Sequence, residues 1–224
     1  MSNDHGLEMH LDYLLFDLDN TLYPESSGIQ AEIHRRMALQ VANHLGVSLE
    51  KAEELKKYGY KTHGTTLRWL QVDHGLSEQG IQRFLDQVHP SNPEQFLTPD
   101  PKLDEMLGSL PLPLAVLTNS PMTHAQRILT TLGIKHRFTH VFDLTFNALE
   151  GKPHANAYRR CLEVLGTTPE RVLFIDDVPG YLDGFKRLGG KTLLIDEFGI
   201  HQSTDHPKIS QIHDLPSFLY QNYL

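Results

Sequence analysis

The stretch Leu14-Leu15-Phe16-Asp17-Leu18-Asp19-Asn20-Thr21-Leu22 decides the fold. Its first residues, with Tyr13 before them, form a short apolar run that reads as a buried strand. Two carboxylates, Asp17 and Asp19, follow two residues apart where the strand ends. Acids at the end of an apolar strand are costly to desolvate unless something binds them. A pair of hard oxygen ligands suits Mg²⁺. The plain alternative is a surface turn in which two aspartates fall close together by chance.

Outward from this strand, apolar runs at residues 112–117, 141–144, 171–175 and 192–195 predict further strands. Helical patterns separate them. One starts at Ser120-Pro121, carries Ala125, Ile128, Leu129 and Leu132 on one face, and stops at Gly133. Another starts at Pro153, turns Tyr158, Cys161, Leu162 and Leu165 inward, and stops at Gly166. A shorter one starts at Pro179 with Leu182, Phe185 and Leu188. Alternating strands and helices predict an α/β fold, a Rossmann-like parallel sheet with helices on both faces.

The interval from Pro24 to Pro99 breaks the alternation and holds no convincing strand. Ile29, Ile33, Met37, Val41 and Leu45 share a helical face that ends at Gly46, and Ser48 and Ser77 are expected to cap two further helices. Residues 65–72 suggest one more. The expected organisation is a core of residues 1–23 and 98–224, with an all-helical cap domain at 24–97. Pro90, Pro93, Pro99 and Pro101 are read as the return linker, and Leu215, Phe218 and Leu219 as part of a closing helix. Within the insert, Trp69 and Tyr60 are read as packing residues.

The chain has 224 residues and a formal net charge of −8, which argues against a nucleic acid polymer as partner. An acidic protein that handles phosphate must focus positive charge locally, through a metal, a lysine or helix termini. A single cysteine, Cys161, excludes an internal disulfide and fits a reducing compartment. No apolar run is long enough to span a membrane. The N-terminus, with Asp4, Glu8 and Asp12, is acidic and lacks an apolar signal core, so a cytoplasmic location is expected. The 14 histidines are scattered without zinc-ligand spacing and receive no metal role.

In open parallel sheets, ligands bind beyond the carboxyl ends of the strands. The predicted strands deliver Asp17 and Asp19, then Thr118 and Asn119, then Lys152, then Asp176 and Asp177 to that edge. Singly, each has a structural alternative: a strand end, a solvated lysine, acids favoured by a helix dipole. Together they form a chemical set. A carboxylate can attack phosphorus as a nucleophile, Mg²⁺ and Lys152 can neutralise the charge it meets, and Thr118 and helix N–H groups can hold phosphate oxygens. A second acid can protonate a leaving alkoxide and then activate water.

The set Asp17-Leu18-Asp19-Asn20-Thr21, Thr118-Asn119, Lys152-Pro153 and Asp176-Asp177 resembles the four motifs of the haloacid dehalogenase-like hydrolase superfamily. The helical insert resembles the cap of its first cap class. A closer likeness is to its pyrimidine 5′-nucleotidases, on the text from Phe16 to Pro24, Ser26-Ser27-Gly28-Ile29, Gly64-Thr65-Thr66-Leu67-Arg68 and Thr98-Pro99-Asp100-Pro101. The resemblance implies Asp17 as nucleophile and metal ligand, and Asp19 as general acid/base that binds the metal through its backbone carbonyl. It implies phosphate contacts from Leu18, Asp19, Thr118, Asn119 and Lys152, with Lys152 also orienting Asp17. Asp177 would bind Mg²⁺ directly, with Asp176 beside it as an outer or water-mediated partner. Tyr23, Thr65, Thr66 and Arg68 would face the substrate. His63 and Trp69 depart from the family's text around the cap motif and are expected to bear on the shape of the substrate pocket. The implied activity is a Mg²⁺-dependent phosphomonoesterase acting on UMP or CMP, as a monomer or homodimer, with a small-molecule phosphomonoester as its partner. The competing readings are a phosphosugar or phosphoglycolate phosphatase, a carbon–halogen hydrolase, and a catalytically silent phosphate-binding scaffold. Asp19 disfavours the halide chemistry, which has no alkoxide to protonate.

Overall fold

The structure is a computed structural model that describes residues 11–223, so Asp4 and Glu8 of the acidic N-terminus lie outside the described residues. Six parallel strands form one sheet in the order β3-β2-β1-β4-β5-β6. They are β1 (Tyr13–Phe16), β2 (Leu114–Leu117), β3 (Phe138–Phe142), β4 (Val172–Asp176), β5 (Lys191–Ile195) and β6 (Lys208–Ile209). The strand that opens the chain thus lies inside the sheet, with β2 on one side and β4 on the other.

Side chains alternate across a strand, and the two faces of β1 enter different layers. Leu14 and Phe16 join the apolar cluster of α5 (Pro101–Ser109), α6 (Met122–Thr131) and α9 (Leu215–Asn222). Leu15 joins that of α7 (Ala155–Leu165) and α8 (Pro179–Lys186). Cys161 is buried in this second layer, as its helical face predicts.

Between β1 and β2 the chain forms four helices, α1 (Ile29–Leu45), α2 (Leu49–His63), α3 (Thr66–His74) and α4 (Glu78–Val88). Ser48, Thr65 and Ser77 cap the last three, each accepting a backbone N–H from three residues on. Ile29, Ile33, Leu67 and Ile81 pack into the same apolar cluster as the sheet's first face. Among the described residues, no helix is long and apolar enough to cross a membrane.

Three local expectations change, and one strand is added. The proline-rich return segment is not only a linker, because Asp100 accepts the Leu103 N–H at 3.0 Å and Pro101 occupies the first turn of α5. β3 lies earlier than the apolar run at 141–144, since it is an edge strand with partly exposed residues and Leu144 bonds instead to the Ser120 carbonyl. Ser120 does not cap α6. Pro121 takes the cap position without a side-chain bond, and the Met122 N–H goes to Asp143 Oδ2 at 3.0 Å. β6, two residues long, carried no apolar signal in the sequence.

Candidate active site

Because β1 is flanked by β2 and β4, the segments leaving these three strands converge at one edge of the sheet. Lys152, from the loop before α7, is wholly buried there. Its ammonium lies 2.7 Å from Asp17 Oδ1 and 2.6 Å from Asp176 Oδ2, and stands over the rings of Phe174 and Tyr181. Burial of the lysine opposes its charge, but the two carboxylates outweigh that and hold its pKa above the ordinary value. Asp176 Oδ1 also accepts the Val178 N–H at 2.8 Å.

Oxygens of Asp17, Asp176 and Asp177 lie within 4.8 Å of one another. Three carboxylates therefore face a single ammonium. Burial, together with the neighbouring acids, pushes Asp17 well above the usual carboxylate range despite Lys152, and pushes Asp177 up to about 7. A hard divalent cation among these oxygens would supply the missing positive charge, and an all-carboxylate donor set fits Mg²⁺. Asn20 adopts a left-handed conformation, φ 58°, and brings Nδ2 to 3.3 Å from Asp177 Oδ2.

Asn119 fixes the lysine loop rather than pointing freely into the site. Its amide donates to the Lys152 carbonyl at 2.9 Å and accepts the Lys152 N–H at 2.8 Å. Gly151 permits this approach, since a Cβ there would collide with the Asn119 side chain. Thr118 is buried, and its hydroxyl accepts the Ser120 N–H at 3.0 Å.

Asp19 is held on a different set of groups. Its Oδ1 accepts from Tyr23 Oη at 2.6 Å and meets His124 Nε2 at 2.8 Å, and its Oδ2 accepts from Ser120 Oγ at 2.6 Å. Burial raises its pKa, but His124 and the three hydrogen bonds outweigh this and hold it far below the usual range. His89, at the end of α4, places its ring 4.7 Å from that of His124.

The acids open into a cavity of about 430 Å³ bounded on the other side by α1, α2 and the α3 start. Asp17, Asp19, Thr118, Asn119, Lys152 and Asp177 line it, as do Thr65 and Thr66. The remaining expected residues lie elsewhere. Leu18 is wholly buried in the apolar core. Tyr23 lies beneath Asp19 and is not part of the cavity wall. Arg68 pairs with Glu150, in the loop before α7, at 3.0 Å, because the first turn of α3 turns it away from the cavity. Trp69 is core, as expected, and His63 faces Asp73. Tyr60, read as packing, instead lines the cavity and bonds to the Tyr181 hydroxyl at 3.1 Å.

Ser120, His124, His89 and Tyr181 were not anticipated. His124 had one legible signal: it sits beside Ala125 on the helical face that also carries Ile128, where only a partnered histidine is buried cheaply.

The model of the haloacid dehalogenase-like hydrolases matches residues 11–189. Phosphoglycolate phosphatase from Aquifex aeolicus is 27% identical over 188 residues, covering 81% of this chain and 83% of the relative. Phosphate metabolism protein 8 from Saccharomyces cerevisiae is 31% identical over 134 residues, covering 55% of this chain but only 40% of the yeast protein. The structure of YfnB from Bacillus subtilis bound to magnesium shares the fold, with a TM-score of 0.62 at 16% identity over 94% of this chain and 99% of that one. With most of its length matched by the family model, the protein belongs to the haloacid dehalogenase-like hydrolases.

Proposed function

We propose that the protein is a Mg²⁺-dependent phosphomonoesterase that works through an aspartyl-phosphate on Asp17. The observation that carries this reading is Asp17 in the wall of a cavity, 2.7 Å from a buried ammonium and grouped with two further carboxylates. Asp17, Asp177 and, behind them, Asp176 would hold the cation, which when bound screens the approach of an anionic nucleophile to an anionic phosphate. Asp17 attacks phosphorus, the bond to the leaving oxygen breaks with its electron pair, and that oxygen takes a proton that Asp19 gains from solvent as the anionic substrate beside it opposes the ionisation that its protein partners favour. Asp19 then takes a proton from the water that attacks the phosphorus of the acyl-phosphate, which frees Asp17 and phosphate. Lys152 aims Asp17 and favours its ionised form, the cation would supply the rest of the charge that burial and the neighbouring acids demand, and Thr118 and Asn119 border the phosphate.

The substrate we assign is a pyrimidine nucleoside monophosphate. The support is the cap text around Thr65 and Thr66, both in the cavity wall, and a cavity within the size range of sites for drug-sized ligands. A second reading, phosphoglycolate, is favoured by the name of the Aquifex relative.

A panel of phosphomonoesters assayed with Mg²⁺, with EDTA, and with the Asp17→Asn variant tests the activity. Phosphate release is expected only with Mg²⁺ and only from the wild type, because a carboxamide cannot attack. Turnover by a folded Asp17→Asn protein, or full activity without metal, would overturn the mechanism.

A further inference from the structure

Asp19 is the most heavily restrained carboxylate of the site, and its restraints are unequal. An ionised carboxylate has about four lone-pair directions. Oδ1 uses two, on Tyr23 and His124, whereas Oδ2 uses one, on Ser120. One direction, on Oδ2, is left, and Asp19 borders the cavity. Oδ1 already accepts from Tyr23 and lies 2.8 Å from His124 Nε2, so with the exchangeable proton on Oδ2 it is His124 Nε2 that carries the hydrogen shared with Oδ1.

His124 is wholly buried and its Nδ1 meets no partner among the described residues. Packing alone does not account for a histidine there, since an apolar side chain would fill the same face beside Ala125 and Ile128 without an orphaned nitrogen. The ring is held from the other side by His89, whose Nδ1–H donates to the Leu85 carbonyl at 2.8 Å. The cradle therefore joins β1's exit, the start of α6 and the end of α4.

Resting on the phosphatase reading above, we propose that His124, with Tyr23 and Ser120, is the positioning device that fixes the Asp19 carboxylate and leaves Oδ2 as the oxygen that exchanges a proton with the leaving group. His124 is a positioning residue: it touches Asp19, not the reacting atoms. A misplaced acid matters most where the leaving oxygen needs a proton, and least where it leaves as a stable anion.

The test is kcat/KM in Mg²⁺ on the alkyl phosphomonoester that the wild type uses best and on p-nitrophenyl phosphate. His124→Leu is expected to lose about 10²-fold on the alkyl ester and only a few-fold on the aryl ester. His124→Gln, which retains an N–H donor, is expected to recover at least about tenfold of the alkyl loss. Equal losses on both esters, no loss on either, or a folded Gln variant no better than Leu would overturn the proposal. If circular dichroism shows His124→Leu unfolded, Tyr23→Phe and Ser120→Ala decide: an alkyl-selective loss supports the cradle, and an unselective one overturns it. A wild type that releases phosphate from neither ester removes the phosphatase reading itself, which is a different result from a working enzyme without the selectivity.

Discussion

Burying the Lys152 ammonium is tolerable only because two carboxylates flank it within 2.7 Å, since breaking a buried ion pair costs about 3–5 kcal/mol. His89 shows the opposite solution, a buried histidine kept neutral. Burial, and after it the charge of His124, brings its pKa down to about 4. Unfolded, it would titrate near ~6.5. Above that pH the ring is neutral in both states and its contribution is complete. As the pH falls from about 6.5 toward 4, the unfolded chain binds a proton that the folded one refuses, so stability drops across that window and levels off below it. The loss is on the order of 3 kcal/mol. Urea unfolding of wild type and His89→Phe at pH 7.5 and pH 4.5 checks this: the variant is expected to show the shallower fall. Parallel slopes would remove His89 from the acid response. Neither residue's state was readable from the sequence. Lys152 was marked by its place before Pro153 at a strand exit, but nothing local distinguishes His89 from thirteen other histidines.

Elements were legible where local chemistry and burial agree. Ser48 and Ser77 cap α2 and α4 as read, and β1, β4 and β5 match their apolar runs to within a residue. The misses, β3 and β6, are an edge strand and a two-residue strand, which carry little apolar signal. Helix packing in the insert also hides from one-dimensional reading. Gly59 lies inside α2, where alanine is ordinarily better by about 1 kcal/mol. Here a Cβ would land on the ring of Trp69 in α3, which is almost fully buried and cannot swing aside. Overpacking of that kind costs about 1–3 kcal/mol, so Gly59→Ala is expected to destabilise by about 1–2 kcal/mol despite its helix propensity. A thermal melt at or above the wild-type midpoint would mean that α2 and α3 separate freely.

At the scale of the whole molecule, the insert and the sheet share one cavity, meet within its wall at Tyr60–Tyr181, and meet outside it at Arg68–Glu150 and the Ser26 N–H on Glu197. The proposed division into core and cap therefore puts catalysis and selection on different units. In the proposed mechanism the acids that follow β1 and β4, and Lys152 in the loop before α7, meet the phosphate, whereas α1 supplies Ile33, His34 and Met37 to the opposite wall. The motifs made the first half legible, and the apolar spacing of α1 marked Ile33 and Met37; that this face turns toward the cavity is a tertiary fact. If the leaving group is a nucleoside, it must occupy the space beside α1, and a two-carbon acid need not. Wild type is then expected to favour UMP or CMP over AMP, GMP and phosphoglycolate by tenfold or more in kcat/KM, about 1.4 kcal/mol of transition-state binding. Met37→Trp should fill the nucleoside space without touching the acids. It is expected to cut kcat/KM for UMP by at least about tenfold, and that for phosphoglycolate or p-nitrophenyl phosphate by far less. A wild type that prefers phosphoglycolate, or a variant that weakens every ester equally, would leave the phosphatase standing and remove the nucleotide.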